Sequence, residues 1–170
     1  IQRTAEAVKL AVARSAGGAG DVLVFLPGYR EIQEVERRIN GDIGDREICI
    51  LHSNIDATDR RRIINGRRHD ETPRVILSTN LAETSVTISG VTVVVDSGRQ
   101  RLTRFNTQTG VEEMVTEIIS KAQATQRAGR AGRERPGECI SVLSDEEIAA
   151  RPDVGSPEIS RANLSHVLLD

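Results

Sequence analysis

The chain has 170 residues, of which 38% are hydrophobic and 28% charged, with a formal net charge of -2. That profile fits one globular domain with a proper core and excludes a disordered or fibrous chain. No apolar run approaches the roughly 18 residues of a membrane span and no signal-peptide pattern opens the chain, so no membrane partner is expected.

The first helix is expected over residues 1–16, amphipathic and ending in the loop "GGAG". Apolar strand-like runs follow at "DVLVFLP" (21–27), "EICILH" (47–52), "PRVILST" (73–79), "VTVVVDS" (91–97) and "GECISVLS" (137–144). Between the first three lie two helical stretches. "REIQEVERRI" carries Ile32, Val35 and Ile39 at helical spacing, and "DATDRRRIIN" opens on a capping residue, Asp56. Strands alternating with helices imply a parallel sheet covered on both faces, with ligands beyond the carboxyl ends of the strands. Residues 99–118 break this rhythm. "RQRLTRF", the turn "NTQTG" and "VEEMVTEII" read as an inserted hairpin whose first arm carries Arg99, Arg101 and Arg104. Such an arm suits contact with phosphates better than burial in a parallel sheet. Ser120 and Gln123 then form a capping box that opens a helix, as Ser144 and Glu147 do for a later one, and a last helix is expected from Ser156–Pro157.

Cys49 and Cys139 sit inside apolar runs and read as buried free thiols of a reducing compartment, with no metal-ligand spacing around them. Arginine supplies 21 of the 23 basic residues, lysine only Lys9 and Lys121. Guanidinium suits bidentate phosphate binding, but its placement matters more than its abundance. The groups at 60–62 and 66–68 read as a solvated face balanced by Asp56, Asp59 and Asp70. The run "ATQRAGRAGR" (124–133) is different. On a helix Gln126, Arg130 and Arg133 fall at i, i+4 and i+7, within a sector of about 60°. Arg127 points about 100° away from Gln126 and reads as structural. Gly129 and Gly132 would each cost a helix about 1 kcal/mol, which close approach of another surface would offset. One amide and two planar cations on one face suit a transferring phosphoryl group.

"QRAGRAGR" resembles motif VI of superfamily 2 helicases, of the DEAH-box branch in particular. "LVFLPG" at 23–28 resembles motif IV, "STNLAETSVTI" at 78–88 resembles motif V, and "VVDSG" at 94–98 fits the same pattern in order and spacing. The terminal "SPEISRANLSHVLLD" looks like the family's exit from this domain. The resemblance covers the chain from about Gly20 onward. It implies a single α/β domain over residues 1–170: a RecA-like parallel sheet with helices on both faces and an inserted β-hairpin. This would be the second lobe of an NTP-dependent RNA helicase, a piece of a longer intracellular protein of cytoplasm or nucleus. By resemblance Gln126, Arg130 and Arg133 face the triphosphate of ATP (or another NTP), the arginines acting as fingers across the cleft between lobes. Thr87 lies near the ribose, and Ser53, Thr79 and Asn80 contact single-stranded or duplex RNA through its backbone. Arg101 and Arg104 would do so from the hairpin, which matches the family's strand-separating wedge. Two positions on the nucleoside side depart from the family: Ile64 stands where an aromatic residue is usual, and Ser89 where an acid often stands.

The chain contains no G-x-x-x-x-G-K-[ST] and no acidic D-E-x-H box. Mg²⁺ would therefore be held mainly by a preceding RecA-like lobe of the same polypeptide, and this piece alone is expected to be inactive. Two rival readings exist. A degenerate lobe could bind RNA or a protein without turnover, and a hydrolase could use His52, Ser53 and Asp96. Against the latter, His52 and Ser53 would point apart on a strand, and no G-x-S-x-G elbow is present.

Overall fold

The computed structural model describes residues 1–15, 20–66, 72–84, 87–106, 108–131 and 136–155. The expected helix at Ser156–Pro157 lies outside them. All five expected strands form: β1 (Asp21–Phe25), β2 (Glu47–Leu51), β3 (Arg74–Ser78), β4 (Val91–Asp96) and β7 (Glu138–Ser141). They pair in parallel in the order β2-β3-β1-β4-β7. Every residue of β1 and β3 is buried, because side chains alternate between two covered faces. Val22 and Val24 meet Val8 of α1 (Gln2–Ser15) and Ile32, Val35 and Ile39 of α2 (Tyr29–Ile39) on one face. Leu23 and Phe25 point to the other face, with Ile63 of α3 (Ala57–Ile64), Ala82 of α4 (Leu81–Thr84) and Ala131. The apolar period of the sequence and the two-sided core are thus the same fact.

The helix starts follow local hydrogen bonding. Asp56 caps α3 by accepting from the N–H groups of Thr58 and Asp59, and these bonds hold its carboxyl below the usual carboxylate range. Complete capping boxes open α5 (Lys121–Ala128) at Ser120 and α6 (Asp145–Ala149) at Ser144. Three expectations are corrected. The short helix α4 interrupts "STNLAETSVTI", where none was expected. The arginine-bearing helix α5 stops at Ala128, with Gly129 as its cap and Arg130 in the following turn. The stop is tertiary in origin, since Ala131 is drawn into the core beside Phe25 and Ala82. Finally, Cys139 is exposed rather than buried, because β7 ends the described sheet and alternates half-buried with exposed positions. Cys49 is buried, and burial pushes its thiol up to about 11, so it stays protonated and inert.

At the amino ends of β1 and β3 lies a buried ion pair. Asp21 accepts from the Arg74 backbone N–H at 2.9 Å and from its Nε and Nη2 at 2.9 and 2.6 Å, while Arg74 Nη1 reaches the Ile63 carbonyl at 3.3 Å.

The hairpin forms with the expected bounds, β5 (Arg99–Asn106) against β6 (Val111–Ile118), as a separate two-stranded sheet. Gly98, at φ 71°, turns the chain out of β4; a Cβ there would come within 2.4 Å of Leu143. Asn106 closes the tip by accepting from Gln108 and Thr109 N–H, and Gly110 takes φ 69°. A lone hairpin is marginal in water, so its ties to the body matter. Arg101 pairs with Glu31 of α2 at 2.8 Å, Arg99 with Glu147 at 2.8 Å, and the buried Gln100 with Gln123 of α5, again at 2.8 Å. Among the described residues no helix is long and apolar enough to cross a membrane.

Candidate functional site

The loops after β1, β2 and β3 emerge side by side at the carboxyl end of the sheet. Leu26 N–H donates to the Ser78 carbonyl at 2.8 Å, and Ser78 Oγ donates to the Leu51 carbonyl at 3.0 Å. This stitching presents Ser53 and Asn80, both exposed, and Thr79, half-buried, along one edge. The three backbone-contact candidates are therefore brought together by strand adjacency.

The arginine segment packs against α4. Arg127 is fully buried, as its angular position predicts. Its Nε donates to Glu83 Oε2 at 3.0 Å, and its Nη1 to Asp96 Oδ1 at 2.9 Å and the Arg99 carbonyl at 3.3 Å. Its guanidinium lies 4.8 Å from the centre of the Phe25 ring. Glu83 and Asp96 are themselves 4% and 2% exposed, so two carboxylates and Arg127 share a dry site. Arg130, 7% exposed, is buried against the same helix α4. Arg130 Nη2 donates to the Glu83 backbone carbonyl, which also accepts from Gln126 Nε2 at 3.1 Å. The two phosphate-facing candidates thus converge on one oxygen, although the helix ends between them. Arg133 lies outside the described residues. A Cβ on Gly129 would make only ordinary contacts, at 3.4 Å, with its own preceding turn, so this chain leaves the surface there open.

The nucleoside-side candidates lie elsewhere on the same face of the sheet. Ile64, at the end of α3, is half-buried against the Leu23–Phe25 core, and Ser89, just before β4, is half-buried beside Gly66, where a Cβ would come within 2.9 Å of its own. Both lie toward the amino end of the sheet, and Thr87 is exposed. Of the hairpin candidates, Arg101 is committed to Glu31, while Arg104 is exposed with a longer 3.4 Å contact to Glu117. Arg62 pairs with Glu47 at 2.7 Å, which fits the solvated reading of that basic group. The hydrolase constellation is not assembled. β3 and β1 separate β2 from β4, Asp96 is taken by Arg127, and His52 Nδ1 accepts from Asn54 N–H at 3.1 Å.

Sequence reasoning missed Glu83 as the hub. The available signal was the one acid in "STNLAETSVTI", facing a helix rich in arginine.

A parallel five-stranded sheet carrying a buried arginine hub over its carboxyl end, with a hairpin set beside it, defines a RecA-like lobe. The comparisons with known proteins agree. Residues 4–135 match the helicase conserved C-terminal domain. The chain is similar to the ATP-dependent RNA helicase HrpB of Escherichia coli strain K12, with 38% identity over 99% of this chain and 21% of that protein. It is 34% identical to the ATP-dependent RNA helicase DHX33 of Mus musculus over 92% of this chain and 23% of that one. The crystal structure of the E. coli DExH-box NTPase HrpB superposes with a TM-score of 0.85 at 37% identity, covering 96% of this chain and 20% of that one. The chain belongs to the helicase conserved C-terminal domain family and is the C-terminal domain of a DEAH-box superfamily 2 helicase. It spans about a fifth of the length of HrpB.

Proposed function

We propose that the domain is the second lobe of an ATP-dependent RNA helicase acting inside the cell, supplying arginine fingers to a nucleotide held by a preceding lobe of the same polypeptide. The observation that carries this reading is the convergence of Gln126 and Arg130 on the Glu83 carbonyl, anchored from beneath by Arg127. A carbonyl oxygen carries partial negative charge, and a phosphate oxygen carries more. Lobe closure would let both donors exchange one for the other, Gln126 orienting a water and Arg130, with Arg133, neutralising charge on the transferring group. Mg²⁺ would be held by the preceding lobe and the phosphates, since a P-loop and an acidic D-E-x-H box are the usual means of holding it and this sequence carries neither. Thr87, Ser89 and Ile64 would line the nucleoside side. Ser53, Thr79 and Asn80 would grip RNA by its backbone, which positions the strand without reading sequence. The hairpin, outside the parallel sheet, would separate strands, with Arg104 as its freer cation and Arg101 holding it in place.

In the full-length protein, Arg130→Ala is expected to lower RNA-stimulated turnover by about 10³-fold or more, the usual contribution of an arginine finger. Phosphate release at the wild-type rate would remove the finger role.

A further inference from the structure

Aromatic side chains are scarce in this chain: one tyrosine, two phenylalanines and no tryptophan. Phe25 is buried beneath Arg127 and Phe105 is half-buried on the hairpin, whereas Tyr29 is 46% exposed. Its position is specific. Tyr29 opens α2 just after β1, and His52 follows directly on β2. Their rings meet at 4.7 Å between centroids, tilted by 47°. In the sheet β3 lies between β1 and β2, so this ring pair arches over the carboxyl end of β3, from which Thr79 and Asn80 emerge. Ser53 adjoins His52 in sequence. The Asn54 N–H bond to His52 Nδ1 fixes the imidazole and leaves its proton on Nε2. Arg30, beside Tyr29, is exposed and has no ion-pair partner among the described residues.

We infer that Tyr29 and His52 form a stacking platform for one base of a single-stranded RNA. The inference rests on the proposed backbone grip of Ser53, Thr79 and Asn80 and adds to it a contact of another kind. Hydroxyl and amide groups at the strand ends hold sugar and phosphate. A base turned away from that backbone meets the open face of Tyr29, which His52 braces from the other side. Arg30 stands ready for the neighbouring phosphate. Every base has a π-face, so the platform tolerates any sequence, as a translocating motor requires. A contact with another protein surface would bury the same ring but would not depend on bases, and that difference decides the test.

The test uses the full-length protein and two fluorescent single-stranded oligoribonucleotides of equal length, one of uridines and one of abasic ribose-phosphate, with dissociation constants read by anisotropy. Tyr29→Ala is expected to weaken binding of the uridine strand by about five- to a hundredfold, the range for loss of one stacked base, and to leave the abasic strand within twofold. Tyr29→Phe keeps the ring and should bind both strands like wild type, which controls for folding. His52→Ala should give a smaller loss, confined to the uridine strand. Unchanged uridine binding by Tyr29→Ala, or an equal loss on both strands, overturns the platform alone. Failure of the wild-type protein to bind either strand would overturn the backbone grip and the platform together.

Discussion

Arg74, at 3% exposure, and Arg127, at 0%, are buried at opposite ends of the sheet, and their surroundings differ in kind. Arg74, at the amino end, spends three donors on the single carboxylate of Asp21 and its remaining terminal nitrogen on the Ile63 carbonyl. It is a closed strut between β1 and β3. Arg127, at the carboxyl end, is shared by two carboxylates, a carbonyl and an aromatic face, and its Nη2 has no hydrogen-bond partner among the described residues. It joins α4, β4 and α5, and the carbonyl of its partner Glu83 holds Gln126 and Arg130. The same side chain therefore closes one end of the lobe and organises the other. What separates the two cases is how many elements meet at the cation and whether every donor is used.

The sharpest test of the closed strut is to remove half of it. Asp21→Ala would leave a buried guanidinium without its counter-charge and is expected to cost about 3–5 kcal/mol of stability, read by urea unfolding. Adding Arg74→Met should recover much of that loss, because a well-packed apolar pair is often no worse than a buried ion pair. No recovery would mean that the pair does more than join two strands. At the other end the balance should reverse. Arg127→Lys keeps the charge but cannot serve two carboxylates and the Phe25 face at once. It should lower turnover of the full-length protein by about ten- to a hundredfold through misplacement of Gln126 and Arg130, while the urea midpoint moves far less than for Asp21→Ala. Rescue of the rate by Glu83→Asp, which resets the reach of the hub, would strengthen the positioning role; an unchanged rate in Arg127→Lys would end it. The smallest effect belongs to the hairpin tether. Glu31→Gln breaks a half-buried ion pair and should slow duplex unwinding by about two- to fivefold with hydrolysis nearly unaffected. Equal loss of both would make Arg101 part of the lobe's frame and not a hairpin strut.

The sheet, the hairpin and the capping boxes were legible because their causes are local. Apolar runs mark two-sided strands, and Ser120 or Ser144 bonds only three residues ahead. The separation of Arg127 from Gln126 was legible too, since the step of about 100° between successive helical residues fixes it. The end of α5 was not, because Ala131 leaves the helical path to join a core, with Phe25 and Ala82, that only the folded sheet assembles. Glu83 was hidden for the same reason. Its carboxylate serves Arg127, 44 residues further along the chain, and nothing in its neighbourhood announces that. Cys139 misled because an apolar run reads alike in a central strand and in one at the edge of the described sheet.

The hairpin carries a further consequence. Its three arginines, 99, 101 and 104, are matched by three glutamates, 112, 113 and 117, so the element is electrically neutral as a whole. Nucleic-acid binding by point cations is driven largely by counterions expelled from the phosphates, and its strength drops steeply as salt rises. A lobe that gripped RNA as proposed, through hydroxyl and amide groups beside a hairpin of no net charge, with only Arg104 and Arg30 as freer cations, would expel few of those ions. On the proposed reading its hold on a strand would be set by the shape of the loops at the sheet's edge, which a closing cleft would change within a single catalytic cycle, and only weakly by the ionic strength around it.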